Sequence, residues 1–87
     1  MPDHGHRIAY HALRNGTEVF DNAGKRLGVV QRVVADAKTQ IFKDVVIDTK
    51  LGPGGLKLVD SRDVEDIYER ALVLKLSAAE VEALPKP

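Results

Sequence analysis

Apolar and polar positions divide this chain into short segments separated by turn chemistry. The first is Thr17-Glu-Val-Phe20, strand-like in its β-branched and aromatic content. It runs into Asp21-Asn-Ala-Gly24, a turn in which Asp21 caps the backbone and Gly24 supplies a positive φ without steric cost. A second strand is predicted over Gly28-Val-Val-Gln-Arg-Val-Val-Ala35, with Gly28 allowing close approach at a corner. Its doublets Val29-Val30 and Val33-Val34 fit neither clean alternation nor an exposed helix, which predicts burial on both faces or a bulge. After the polar turn Asp36 to Gln40, the run Ile41 to Asp48 alternates: Ile41, Val45 and Ile47 share a face with Lys43, and Phe42 and Val46 share the other with Asp44 and Asp48. Leu51-Gly-Pro-Gly-Gly55 interrupts as a loop, Pro53 excluding regular pairing, and Leu56-Lys-Leu-Val59 resumes a strand. Val64 and Ile67 lie in an acidic stretch, and in Ala71-Leu-Val-Leu-Lys-Leu76 three leucines alternate on one face of the last strand.

Ser77-Ala-Ala-Glu80 is a capping box, so a helix starts here, with Leu76 and Val81 as its hydrophobic staple and Pro85 as its stop. At about two turns it does not persist unaided, so Val81 and Leu84 must dock on something. Residues 1–14 show no period and read as a flexible N-terminal arm, 15–76 as the barrel, and 77–87 as a C-terminal capping helix and tail. Five or six short strands with one terminal helix predict an all-β fold, a small antiparallel barrel curled around one core.

The spacing Gly16-x-x-Val19-x-Asp21-x-x-Gly24-x-x-Leu27-Gly28-x-Val30, then Val33-Val34-x-Asp36 and Ile41 to Asp48, resembles the opening of PRC-barrel domains. The resemblance covers residues 16–76, and the family's frequent ending is similar to Leu76-Ser-Ala-Ala-Glu80 with Leu84-Pro85. Asp60 stands where the family commonly has a proline. The resemblance implies a β-barrel related to the cytoplasmic domain of the photosynthetic reaction-centre H subunit and to the C-terminal domain of the ribosome maturation factor. The first follows a membrane helix and the second a separate domain; this chain resembles stand-alone bacterial members, so the barrel is implied and neither activity is.

Composition changes the picture only by exclusion. The 87 residues suit one domain, and 13 Lys and Arg balance 13 Asp and Glu, so bulk charge predicts no nucleic-acid or basic partner. With no cysteine, disulfides and thiolate chemistry are excluded. The longest apolar runs, Val45 to Ile47 and Ala71 to Leu74, are far shorter than the ~20 residues a membrane helix needs, and no secretory signal is legible, so the expected compartment is the cytoplasm. Charge is nonetheless uneven: residues 1–32 hold five Lys/Arg against three Asp/Glu, and residues 63–87 hold three against six.

Candidate chemistry is sparse. His4 and His6 point to one side of an extended segment and form a weak metal candidate, with His11 and Asp3 nearby; no metal and no cofactor is predicted. Leu51 to Lys57 lacks the Gly-Lys-Ser/Thr ending and following helix of a phosphate-binding loop. Asp60, Asp63, Glu65, Asp66 and Glu69 could hold a cation or meet a basic partner, but their spacing lacks the Gly and terminal Glu of an EF-hand loop and they read first as a solvated turn. Ser61 and Ser77 belong to no triad, Ser77 being committed to the helix cap, so no enzyme is expected. The leading expectation is a non-enzymatic protein-interaction or adaptor module, self-associating as a homodimer, with Leu72, Leu74, Val81 and Leu84 as either core or subunit contacts. The alternative is an RNA- or ribosome-associated protein using Lys25, Arg26 and Arg32, against which stands the lack of a stacking platform: the aromatics are Tyr10, Phe20, Phe42 and Tyr68, of which Phe20 and Phe42 are expected to pack inside.

Overall fold

A computed structural model describes residues 4–49 and 55–87. The glycine-rich loop expected at 51–55 lies, but for Gly55, outside the described residues, as does Asp3. Six strands follow the segments of the hydrophobic pattern: β1 Glu18–Phe20, β2 Arg26–Ala35, β3 Phe42–Asp48, β4 Leu56–Asp60, β5 Val64–Tyr68 and β6 Ala71–Leu74. A short helix, α1 (Ala78–Glu82), ends the chain. All are laid in one sheet in the order β4-β3-β2-β1-β6-β5.

Two features correct the expected all-antiparallel barrel. β1 and β6 pair in parallel, Glu18 opposite Ala71 and Phe20 opposite Val73. No ladder joins β4 to β5 among the described residues, so the sheet curls around one core without closing. The parallel pair has a simple origin: the chain crosses from β4 over to β5 and returns by a hairpin, which brings β6 beside β1 in the same direction.

The valine doublets are explained by bulges. Between Val30 opposite Ile47 and Arg32 opposite Val46, Gln31 is an extra residue on β2, and this turns both Val30 and Val33 to the core. A second extra residue, Lys43 on β3, lies between the pairs Val34 with Asp44 and Ala35 with Phe42. It resets the alternation of β3, so that Phe42 packs against the core, as expected of it, while Ile41 is turned outward, away from Val45 and Ile47, whose face the simple period gives it. Glu65 does the same on β5, which is why Val64 and Ile67, three apart, both pack inward.

The core draws Val19, Val30, Val45, Ile47, Val59, Leu72, Leu74 and Val81 from five strands and the helix, all at most 1% exposed. The capping box of α1 is present: Glu80 N–H donates to Ser77 Oγ at 3.2 Å, and Ser77 N–H donates to Glu80 Oε1 at 3.0 Å. That cap aims Val81 at the core, where burying a valine side chain is worth about 1.5–3 kcal/mol.

Residues 4–13 were expected as an arm outside the barrel, yet they lie against it. Ile8 N–H donates to Ile67 O, Glu69 N–H to His6 O and Arg70 N–H to His4 O, at 2.9–3.0 Å. A 3-10 turn over Tyr10–Ala12 then carries the chain across the open seam, Tyr10 stacking on Phe42 at 5.1 Å between centroids, and Leu13 enters the core. At the opposite edge of the sheet, Leu58 N–H of β4 donates to Pro85 O at 2.9 Å. The two terminal segments thus each lie along one edge of the sheet.

Candidate interaction surface

The β2–β3 hairpin tip is built around Asp36. Its Oδ1 accepts from the N–H groups of Lys38 at 2.8 Å and Thr39 at 3.0 Å, and Asp36 N–H donates to Ile41 O at 2.9 Å. Those hydrogen bonds, Thr39's first, hold the Asp36 carboxyl below its ordinary range. Gln40 takes φ of 60°, a left-handed turn that ends the tip and delivers Ile41 to the surface. Among the described residues Ile41 is the large hydrophobic side chain that stands exposed, at 64%.

Beside the tip, Asp60 caps a 3-10 turn over Ser61–Asp63. It accepts from Arg62 N–H at 2.8 Å and from the Arg62 guanidinium at 3.1 and 3.2 Å. The guanidinium lowers the Asp60 carboxyl and is itself raised in return. Ile41, Phe42, Lys43 and Asp36 from the hairpin face Asp60 and Arg62 across an open hollow of about 340 Å³. Its lining combines two apolar side chains with two carboxylates and two cations.

The residues singled out from the sequence fall elsewhere. Leu72 and Leu74 are fully buried and Val81 is 1% exposed, so within one chain they are core, and Leu84 packs against them half-buried. Leu72, Leu74 and Val81 therefore offer no free surface to a second subunit. Lys25, Arg26 and Arg32 are all exposed, but Arg26 pairs with Glu18 at 3.4 Å, and Arg32 lies six residues further along β2, roughly 20 Å at strand spacing. His4 sits half-buried with its ring 4.9 Å from Phe20 and 5.8 Å from Tyr68, and no group of three potential metal ligands gathers among the described residues. Asp21 Oδ1 accepts from Ala23 N–H at 2.9 Å and Lys25 N–H at 2.8 Å, and Gly24 takes φ of 83°. At Gly28 a Cβ would stand 2.8 Å from both the Asp48 carbonyl carbon and Thr49 Cα, so β2 passes the end of β3 too closely for any side chain. Ser77 is engaged in the helix cap and Ser61 in the 3-10 turn. Strict alternation places Ile41 on the face of Val45 and Ile47 and so hides the tip; the polar Lys43 on that same face is the signal that interrupts it.

A family model, the PRC-barrel domain, matches the chain over residues 7–81. The chain belongs to the PRC-barrel family. The match takes in residues 7–14, ahead of the first strand, as well as the start of the helix. No curated protein matches the chain significantly. A PRC-barrel is a small β-barrel module of binding type, and no described helix of this one is long and apolar enough to cross a membrane.

Proposed function

We propose that this PRC-barrel is a non-catalytic protein-interaction module that self-associates through the β2–β3 tip, forming a homodimer. The observation that carries the reading is Ile41, 64% exposed on a turn fixed by Asp36. A single surface isoleucine is ordinary; this one lines a hollow together with Phe42, Asp36, Asp60, Lys43 and Arg62. An apolar centre with both charge signs around it complements itself under a two-fold axis, the cations of one copy meeting the carboxylates of the other. A formal net charge of +0 opposes no such approach at long range. The RNA alternative draws no support from Lys25, Arg26 and Arg32, which do not gather into one patch.

The test is Ile41→Asp. Light scattering across a concentration series should show the wild-type protein passing from monomer to dimer and the variant remaining monomeric. Its melting temperature, read on the monomer, should stay within about ±0.5 kcal/mol of equivalent stability, because an exposed side chain supports no core. A wild-type chain that stays monomeric at every concentration refutes the dimer.

A further inference from the structure

The outer edge of β5 is occupied by the chain's own N-terminal segment, and that occupation has the geometry of a peptide laid on a sheet edge. Arg7 bridges Tyr68 in antiparallel register, and three backbone hydrogen bonds flank the bridge. Side chains fit in specific ways. Arg7 Nε lies 3.3 Å from Asp66 Oδ1, His6 N–H donates to Glu69 Oε1 at 2.7 Å, and the His4 ring rests on Phe20 and Tyr68. Gly5, at φ of 82°, passes so close to β5 that a Cβ there would stand 2.7 Å from Glu69 Oε1 and 2.9 Å from Glu69 Cβ. The basic end of the sequence thereby meets its acidic stretch inside one molecule.

The same segment is weakly fastened. None of its described residues before Leu13 is buried, and the Arg7–Asp66 pair is exposed on the Arg7 side at 74%, where such pairs add little. With few buried contacts it belongs to the part of the fold that opens at low cost while the rest stays folded. We infer that the β5 edge is a docking site for an extended basic peptide of a partner protein, which adds as a strand in place of residues 4–10. The partner segment is specified by what now sits there: a ring-bearing residue, then glycine, then one residue, then a cation for Asp66. Backbone pairing supplies affinity and these side-chain positions supply selectivity. While the tether holds its own segment in place, a competing peptide faces an effective concentration of order millimolar, so the free chain is self-occupied.

Ile8→Pro tests this on the full chain, since it deletes the N–H that donates to Ile67 O. Hydrogen exchange should quicken by at least about tenfold at the Glu69 and Arg70 amides, and stay unchanged at those of Thr49 and Lys75, which donate elsewhere. The probe is a labelled synthetic peptide of residues 4–13. It should bind the variant at least about tenfold more tightly than the wild type and restore protection at Glu69 and Arg70. The same peptide carrying Gly5→Ala or Arg7→Glu should bind at least about tenfold more weakly. Loss of protection throughout the variant would show the segment to be integral to the fold and overturn the inference. So would unchanged exchange at Glu69 and Arg70, or an opened edge that takes up all three peptides equally or none.

Discussion

At the residue scale, two positions are dictated by close geometry. Gly28→Ala sets a methyl group against the backbone of Asp48 and Thr49, atoms that cannot swing aside, so the variant should lose about 1–3 kcal/mol or more in urea unfolding. An unchanged midpoint would mean that β2 and β3 separate there at no cost. The second case is electrostatic. Asp36 and Asp60 have folded pKa values lowered from 3.8 by hydrogen bonds, chiefly from Thr39 and Arg62 respectively. Their turns therefore add stability above the unfolded value and lose it as pH falls through the lower folded values. Carboxyl-carbon NMR titration should place both midpoints below 3.8, and a midpoint at or above that value for either would break the link to its turn. Turn chemistry of this kind is written locally, so Asp21, Gly24 and Gly28 were legible from their neighbours alone. Ile41 was not: whether it or Phe42 faces inward depends on one bulged residue, and a bulge is set by the partner strand's register.

At the scale of elements, the helix shows how a few positions suffice. The capping box fixes where α1 begins, the staple fixes which side turns inward, and Val81 follows into the core. Val81→Asp puts a carboxylate into that core without a partner, and calorimetry should show a loss of about 3 kcal/mol or more in the monomer, with assembly altered only as a consequence. A stable Val81→Asp monomer would mean that the helix is dispensable. Local composition, turn signals and periodicity together revealed five of the strands and marked Val64 and Ile67 without their bulge. It had no means of revealing the parallel β1–β6 pair, because that direction is decided by the route of the chain between distant segments. Nor could it assign Leu72, Leu74 and Val81 to the chain's own core rather than to a subunit contact, since an apolar face looks the same in either setting.

At the scale of the whole molecule, the radius of gyration of 12.0 Å equals the value of about 12 Å expected for a compact chain of this length, which fits an N-terminal segment laid against the sheet. The uneven charge of the sequence finds part of its explanation here, in Arg7 beside Asp66. What remains outward is the mixed-charge tip around Ile41. The parallel pairing of the first strand with the last also governs how the molecule is made. A ribosome delivers β2, β3 and β4 as a meander that can zip up as it emerges, each strand meeting its neighbour within a few residues. β1 has only half of its hydrogen-bonding partners until β6 has left the exit tunnel, and residues 4–8 have no edge to lie on before β5 is released. Residues 4–8, made before any of the strands, are thus among the last to find their places, and until then they are a basic tether in reach of whatever stands near the nascent chain.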